Sequence, residues 1–395
     1  MHKKRIDFSH VYVALLALLI LWLCSKVVMN FSFFNPIERA LQNFSFSDVY
    51  YQVMQEADST QKSDIITIVD LTTMYDRGRI AQTIRDINAC NPRVLGIDVM
   101  FEGLRGDPEG SDLLVEAIAE TEVAVIAFKL KEQDPQTEGE FLTARHSFFA
   151  PLEGLQEGYT NVQHTNLGDN VRNMSTWHLL DGDTVRSFSY YLACQFSPDV
   201  ADNDLPQRQF IDYTPTQFDV VPYDSILQKH NLIENHIVLL GAINDDADMH
   251  YSPLGRIAGT RIQAYAIQTL LEHHHKKIVP FFWTVLISLV ILVLIDILQC
   301  EISHHARHAR SRFIRFFFQT SLVKNFINLI IISFLVWLAF LLFTHSSWYF
   351  NPNILLMGIA LMVESRLFYM SGIAVYADYR ANISATFQTT QPIKS

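Results

Sequence analysis

The chain has 395 residues, 49% of them hydrophobic, with 30 Lys and Arg against 41 Asp and Glu and a formal net charge of −11. The charge is unevenly divided: residues 31–277 carry a net −18 and the remainder +7. So acidic a central region argues against nucleic acid as a partner, since phosphate contacts need Lys and Arg, and anionic lipid headgroups would repel it.

Lys3, Lys4 and Arg5 precede an apolar run from Val11 to Met29 that holds one charge, Lys26, near its far end. A bilayer core of about 30 Å takes roughly 20 apolar residues as a helix, so residues 11–29 are predicted to cross the membrane. No small-x-small cleavage site follows, and the run reads as a retained anchor rather than a signal peptide. Phe31 to Gln55 reads as a helical stalk, although its Phe44, Phe46, Tyr50 and Tyr51 equally suit a membrane interface.

From Asp64 short apolar runs alternate with amphipathic segments. Ile65 to Asp70 is a buried-strand run, and Arg79 to Cys90 sets Ile80, Ile84 and Ile87 on one helical face. Asn91 and Pro92 end that helix, and Val94 to Val99 forms the next strand. Asp112 to Glu120 and then Val123 to Phe128 add a helix and a strand. This alternation predicts an α/β extracytoplasmic domain with a mostly parallel sheet and right-handed crossovers. Residues 129–157, polar and Glu-rich, read as an excursion with weak structure. Strand-like Tyr159 to Gln163, a helix from Thr184 to Phe196, strand-like Gln209 to Tyr213, the strand His236 to Leu240 and a helix from Thr260 to Glu272 complete the region. Cys90 and Cys194 both lie in helix-like stretches, where a disulfide and two buried thiols both fit.

Apolar runs at 278–298, 326–343 and 353–370 complete an α-helical anchor of four transmembrane helices. Arg307, Arg310, Arg312, Arg315 and Lys324 put the loop 299–325 on the same, cytoplasmic side as residues 1–10. Residues 30–277 then lie outside, and the tail 371–395 returns to the cytoplasm. The expected location is a bacterial inner membrane with the large domain in the periplasm.

Several segments carry a family likeness: Ile66 to Asp70; Val94 to Phe101, reading VLGIDVMF; Gly158 to Arg172, ending in Val-Arg; Phe210 to Leu227, with its Val-Pro-Tyr; and Ile237 to Leu271, a strand-Gly turn followed by Asp, Ser-Pro and a Gly-x-x-x-x-Ala helix. Together they resemble the second type of CHASE domain, the cyclase and histidine-kinase associated sensory extracellular domain of bacteria. The resemblance implies a ligand-sensing module coupled through its helices to a kinase, a nucleotide cyclase or a cyclic-dinucleotide enzyme. Two departures stand out. About 25 residues follow the last run, too few for such an output domain, and Tyr75 to Arg79 replaces a Trp-Pro pair. The chain is therefore expected to sense an unidentified extracytoplasmic ligand and signal to a separate cytoplasmic or membrane effector, in contact with membrane lipid and with a homodimer left open. The alternative is a structural or assembly factor whose outer domain docks another envelope protein.

Ligands of open α/β sheets sit beyond the carboxyl ends of the strands, where Asp70 and Asp98 fall. Two carboxylates there suit a cation or an amine, and helix capping or turn closure suits them as well. The loop Asn244 to His250 offers several oxygens without the spacing of an EF-hand. The candidate ligand residues are Asp70, Arg79, Asp98, Asp245, Asp248 and His250. No catalytic residue, metal site or cofactor is expected, because no nucleotide-binding, nucleophile-elbow or paired-cysteine motif occurs. His273 to His275, and His304, His305 and His308, read as interfacial polar residues with no carboxylate or cysteine at metal-site spacing. Asp296, Glu364 and Arg366 are ionisable residues in or near the spans, fitting either interface anchoring or helix coupling.

Overall fold

A computed structural model describes residues 8–30, 45–57, 60–103, 107–137, 139–149, 154–162, 170–202, 205–272, 276–346 and 348–389. The chain divides into two compact units, Met1–Phe46 with Val279–Ser395, and Ser47–Ile278. Much of the expected stalk, and His273 to His275, lie outside the described residues.

The first helix, α1 (Ser9–Asn30), belongs to the first unit. The second unit opens on α2 (Phe46–Glu56), which a buried bidentate pair holds down: Arg172 reaches Asp48 at 2.6 and 2.9 Å. Next come β1 (Gln61–Asp70), α3 (Arg77–Ala89), β2 (Val94–Ile97), α4 (Pro108–Ala119) and β3 (Ala124–Gln133). Asp76 and Asp107 cap α3 and α4 by accepting from Arg79 N and Gly110 N, each such cap contributing about 1 kcal/mol. Then follow β4 (Glu140–Arg145), β5 (Gln156–Tyr159), β6 (Asn173–Ser175), β7 (Trp177–Leu180), β8 (Asp183–Arg186), α5 (Phe188–Phe196), β9 (Arg208–Phe210) and β10 (Thr216–Pro222). The unit closes with β11 (Ile237–Gly241), the hairpin β12 (Met249–Ser252) and β13 (Gly255–Ala258), and α6 (Gly259–Leu271).

The sheet runs β10-β1-β11-β2-β3-β4-β7-β8, with β5 also paired to β3. From β10 to β3, and from β3 to β5, every pairing is parallel, but β3 meets β4 and β7 meets β8 antiparallel. The sheet is thus mixed rather than mostly parallel. The cause is the length of β3: Val125 to Phe128 pairs with β5, while Lys129 to Gln133 runs on and folds back against β4. Residues expected to form a weakly structured excursion therefore extend the sheet, and β10, unforeseen, forms its edge.

Strands covered on both faces read as continuous apolar runs, and β11, the five residues IVLLG, is wholly buried. On one face Ile80, Ile84 and Ile87 of α3 and Leu114, Ala117 and Ile118 of α4 pack on Leu95, Ile97, Val238 and Leu240. On the other, Phe188 and Leu192 of α5 press against Gly96. Cys90 and Cys194 are both free thiols.

In the first unit, α1 is joined by α7 (Phe281–Arg307), the short α8 (Arg312–Gln319), α9 (Ser321–His345) and α10 (Asn353–Thr389). Among the described residues, α1, α7, α9 and α10 are long and apolar enough to cross a membrane. Ala14 and Ala17 of α1 meet Leu292 of α7 and Ile359 of α10 in a common core, small side chains that let helices approach closely. The last helix continues to Thr389, through much of the segment expected as a tail after the span 353–370.

Candidate functional site

The carboxyl ends of β2, β3 and β11 surround a crevice of about 380 Å³. Its lining holds the carboxylates of Asp98, Glu102, Asp245 and Asp248 together with Lys129, Lys131 and Arg145. A smaller annex of about 140 Å³ shares Asp98, Lys129, Thr160 and Asp248 and adds His250.

Each side chain is placed by its strand or loop. Asp98 follows β2, and its N–H donates to Leu240 O at 2.9 Å, which fixes it beside β11. Thr260, in the first turn of α6, donates its hydroxyl to Asp98 Oδ2 at 2.9 Å. Burial and then the neighbouring Asp248 carboxylate push the Asp98 carboxyl up to about 7, against the opposing pull of Thr260, Lys129 and His250. Asp248 lies against the start of α6, where a Cβ on Gly259 would stand 2.5 Å from its Oδ2 and would push that carboxylate aside. His250 Nε2 faces Asp248 Oδ1 at 3.5 Å. Asp245 caps the turn Asp246–Asp248 through Ala247 N. Along β3, Lys129 and Lys131 lie two residues apart and so share a face, while the register sets Arg145 of β4 opposite Lys129. At the rim Arg145 pairs with Glu102.

Of the residues expected from sequence, Asp98, Asp245, Asp248 and His250 come together. Asp70 and Arg79 are not among the lining residues. Asp70 Oδ1 accepts from Thr72 N at 2.9 Å and from Ile243 N at 3.3 Å, and Thr72 Oγ1 also accepts from Ile243 and Asn244 N–H. Asp70 thus ties the end of β1 to the loop that carries Asp245 and Asp248. Arg79 lies over the Tyr223 ring, 5.3 Å from its centroid. Its neighbour Arg77 is the buried one, donating to Ser111 Oγ at 2.7 Å and Gly103 O at 2.6 Å and so fixing the segment after Phe101. Sequence reasoning missed Lys129, Lys131 and Arg145. The Lys-x-Lys spacing just past an apolar strand was the signal for the first two.

Among the described residues, two clusters outside the crevice offer metal-ligand atoms within 4.8 Å of one another: His10, Asp296 and Cys300, and the more exposed Glu301, His304 and His305. The second corrects the expectation that no carboxylate stands at ligand distance from the histidines near residue 304. A separate cavity of about 290 Å³ between α7, α9 and α10 has no charged side chain in its lining and so offers no ionic recognition.

The family model of the CHASE2 domain matches residues 14–298. The chain belongs to the CHASE2 family. No curated protein and no solved structure matches it. CHASE2 domains are sensory extracellular domains, and in this one the match begins within α1 and ends within α7, taking in the whole sheet and its crevice.

Proposed function

We propose that this CHASE2 chain is a membrane-anchored sensor whose crevice binds a small zwitterion of the amino-acid or short-peptide class. The observation that carries the reading is the gathering of both signs of charge, Asp98, Asp245 and Asp248 with Lys129, Lys131 and Arg145, in the lining of one cavity of about 380 Å³. Asp98 and Asp248 suit an ammonium group and Lys129 and Lys131 a carboxylate, with His250 standing 3.5 Å from Asp248. The volume lies within the range of small-molecule sites. On this reading residues 30–277 face the periplasm of a bacterial inner membrane and the four spans carry the signal to a separate effector. A concave, charged strand-end face suits ligand binding better than docking of an envelope protein, for which an apolar patch would be the expected mark.

The test is a thermal-shift screen of amino acids and di- and tripeptides on the full chain in detergent. A stabilising zwitterion should lose its effect in both Asp98→Asn/Asp248→Asn and Lys129→Gln/Lys131→Gln. Simple amines should respond to the first pair alone. No stabilisation by any zwitterion, or a shift untouched by both double variants, would remove the crevice from consideration.

A further inference from the structure

Buried charge also gathers in the membrane-helix unit, in an arrangement that goes beyond the sensory reading. Asp296 and Cys300 lie four residues apart on α7 and so share one helix face, and His10 joins them from the start of α1. One nitrogen of Arg366, from α10, sits among all three. Arg366 Nη2 lies 2.9 Å from Asp296 Oδ2, 3.1 Å from His10 Nδ1 and 2.6 Å from Cys300 Sγ. His10 Nδ1 is itself 2.7 Å from Asp296 Oδ2. The Asp296 side chain is only 2% exposed. A thiol, an imidazole and a carboxylate aimed at one cation make the mixed sulfur, nitrogen and oxygen set that zinc accepts, with a fourth position left open.

We propose that His10, Asp296 and Cys300 form a three-ligand site for a divalent transition cation of the zinc type, closed in this structure by the Arg366 guanidinium, so that metal and Arg366 compete for one place. The exchange balances. The metal forms bonds to the Cys300 sulfur, a His10 nitrogen and an Asp296 oxygen, Cys300 loses its S–H proton to solvent, and Arg366 leaves the carboxylate with its charge unchanged. Because the ligands sit on α1 and α7 while Arg366 sits on α10, metal entry breaks the polar tie of the last helix to the other two and leaves their shared apolar core in place. The chemistry favours zinc over magnesium or calcium, which prefer oxygen ligands alone.

Cobalt(II) replaces zinc as the probe, because a thiolate bound to it absorbs by sulfur-to-metal charge transfer, and the Glu301, His304 and His305 cluster has no sulfur to give that band. The full chain in detergent should take up one cobalt with the band and release one proton as the thiol ionises. Cys300→Ser should lose the band, and Arg366→Gln should bind at least about tenfold more tightly, because the competing cation is gone. If Arg366→Gln does not fold, the wild type against Cys300→Ser still decides the site. A band that survives in Cys300→Ser, no band in the wild type, or an affinity unmoved in a folded Arg366→Gln would each overturn the proposal.

Discussion

Two charged clusters in this chain obey opposite rules. In the strand-end crevice, Asp98, Asp248, Lys129 and Lys131 line a shared volume of about 380 Å³. In the membrane-helix unit, Asp296, His10 and Arg366 have closed onto one another at hydrogen-bond distance, because an isolated charge among apolar helices is too costly. The first arrangement leaves room for a guest. The second is its own guest, and another cation enters only by displacing it.

The comparison breaks most visibly on the closed cluster. Asp296→Asn leaves the Arg366 charge without its carboxylate and should cost about 3 kcal/mol in thermal unfolding of the detergent-solubilised chain. Asp296→Asn combined with Arg366→Gln should regain much of that loss, since it removes both charges together. A single variant as stable as the wild type would mean that the pair is dispensable.

The open cluster predicts an effect that depends on pH. The Asp98 carboxyl titrates near 3.8 when unfolded and at about 7 when folded, so between those values the folded chain holds the extra proton. Stability therefore falls as pH rises from about 4 to about 7 and levels off above. Asp98→Asn should abolish that slope and stabilise the protein at pH 8 by about 2 kcal/mol, roughly half of what the full shift implies, because the carboxyl is partly open to solvent. Parallel melting curves of variant and wild type at pH 5 and pH 8 check this, and an equal offset at both values would contradict it. The smallest effect belongs to the rim: Arg145→Gln, breaking an exposed pair with Glu102, should change stability by less than about 0.5 kcal/mol while weakening binding of a ligand carboxylate. A melting curve with a ligand titration separates the two.

How much of this was legible follows from how each residue gets its position. The alternating strands and helices from Asp64 to Phe128 could be read because each buries a local apolar pattern. Asp98 and the Asp245 to His250 loop were legible as candidates because they directly follow strands. The fold-back of β3 onto β4 was not, since Glu140 to Arg145 is half-exposed and carries no clean alternation. Arg172 was read only as part of a family segment, because its partner Asp48 lies 124 positions away. Arg79 is the candidate cation by sequence, yet Arg77, two residues earlier and on a different side of α3, is the buried one. Helical phase, which a motif match does not weigh, separates the two.

The last helix, Asn353–Thr389, is unbroken over 37 residues, about 55 Å at 1.5 Å per residue and nearly twice the thickness of a hydrocarbon core. Arg366 ties it to α1 and α7 about a third of the way along, so whatever alters that tie acts on a helix that continues some 23 residues beyond it.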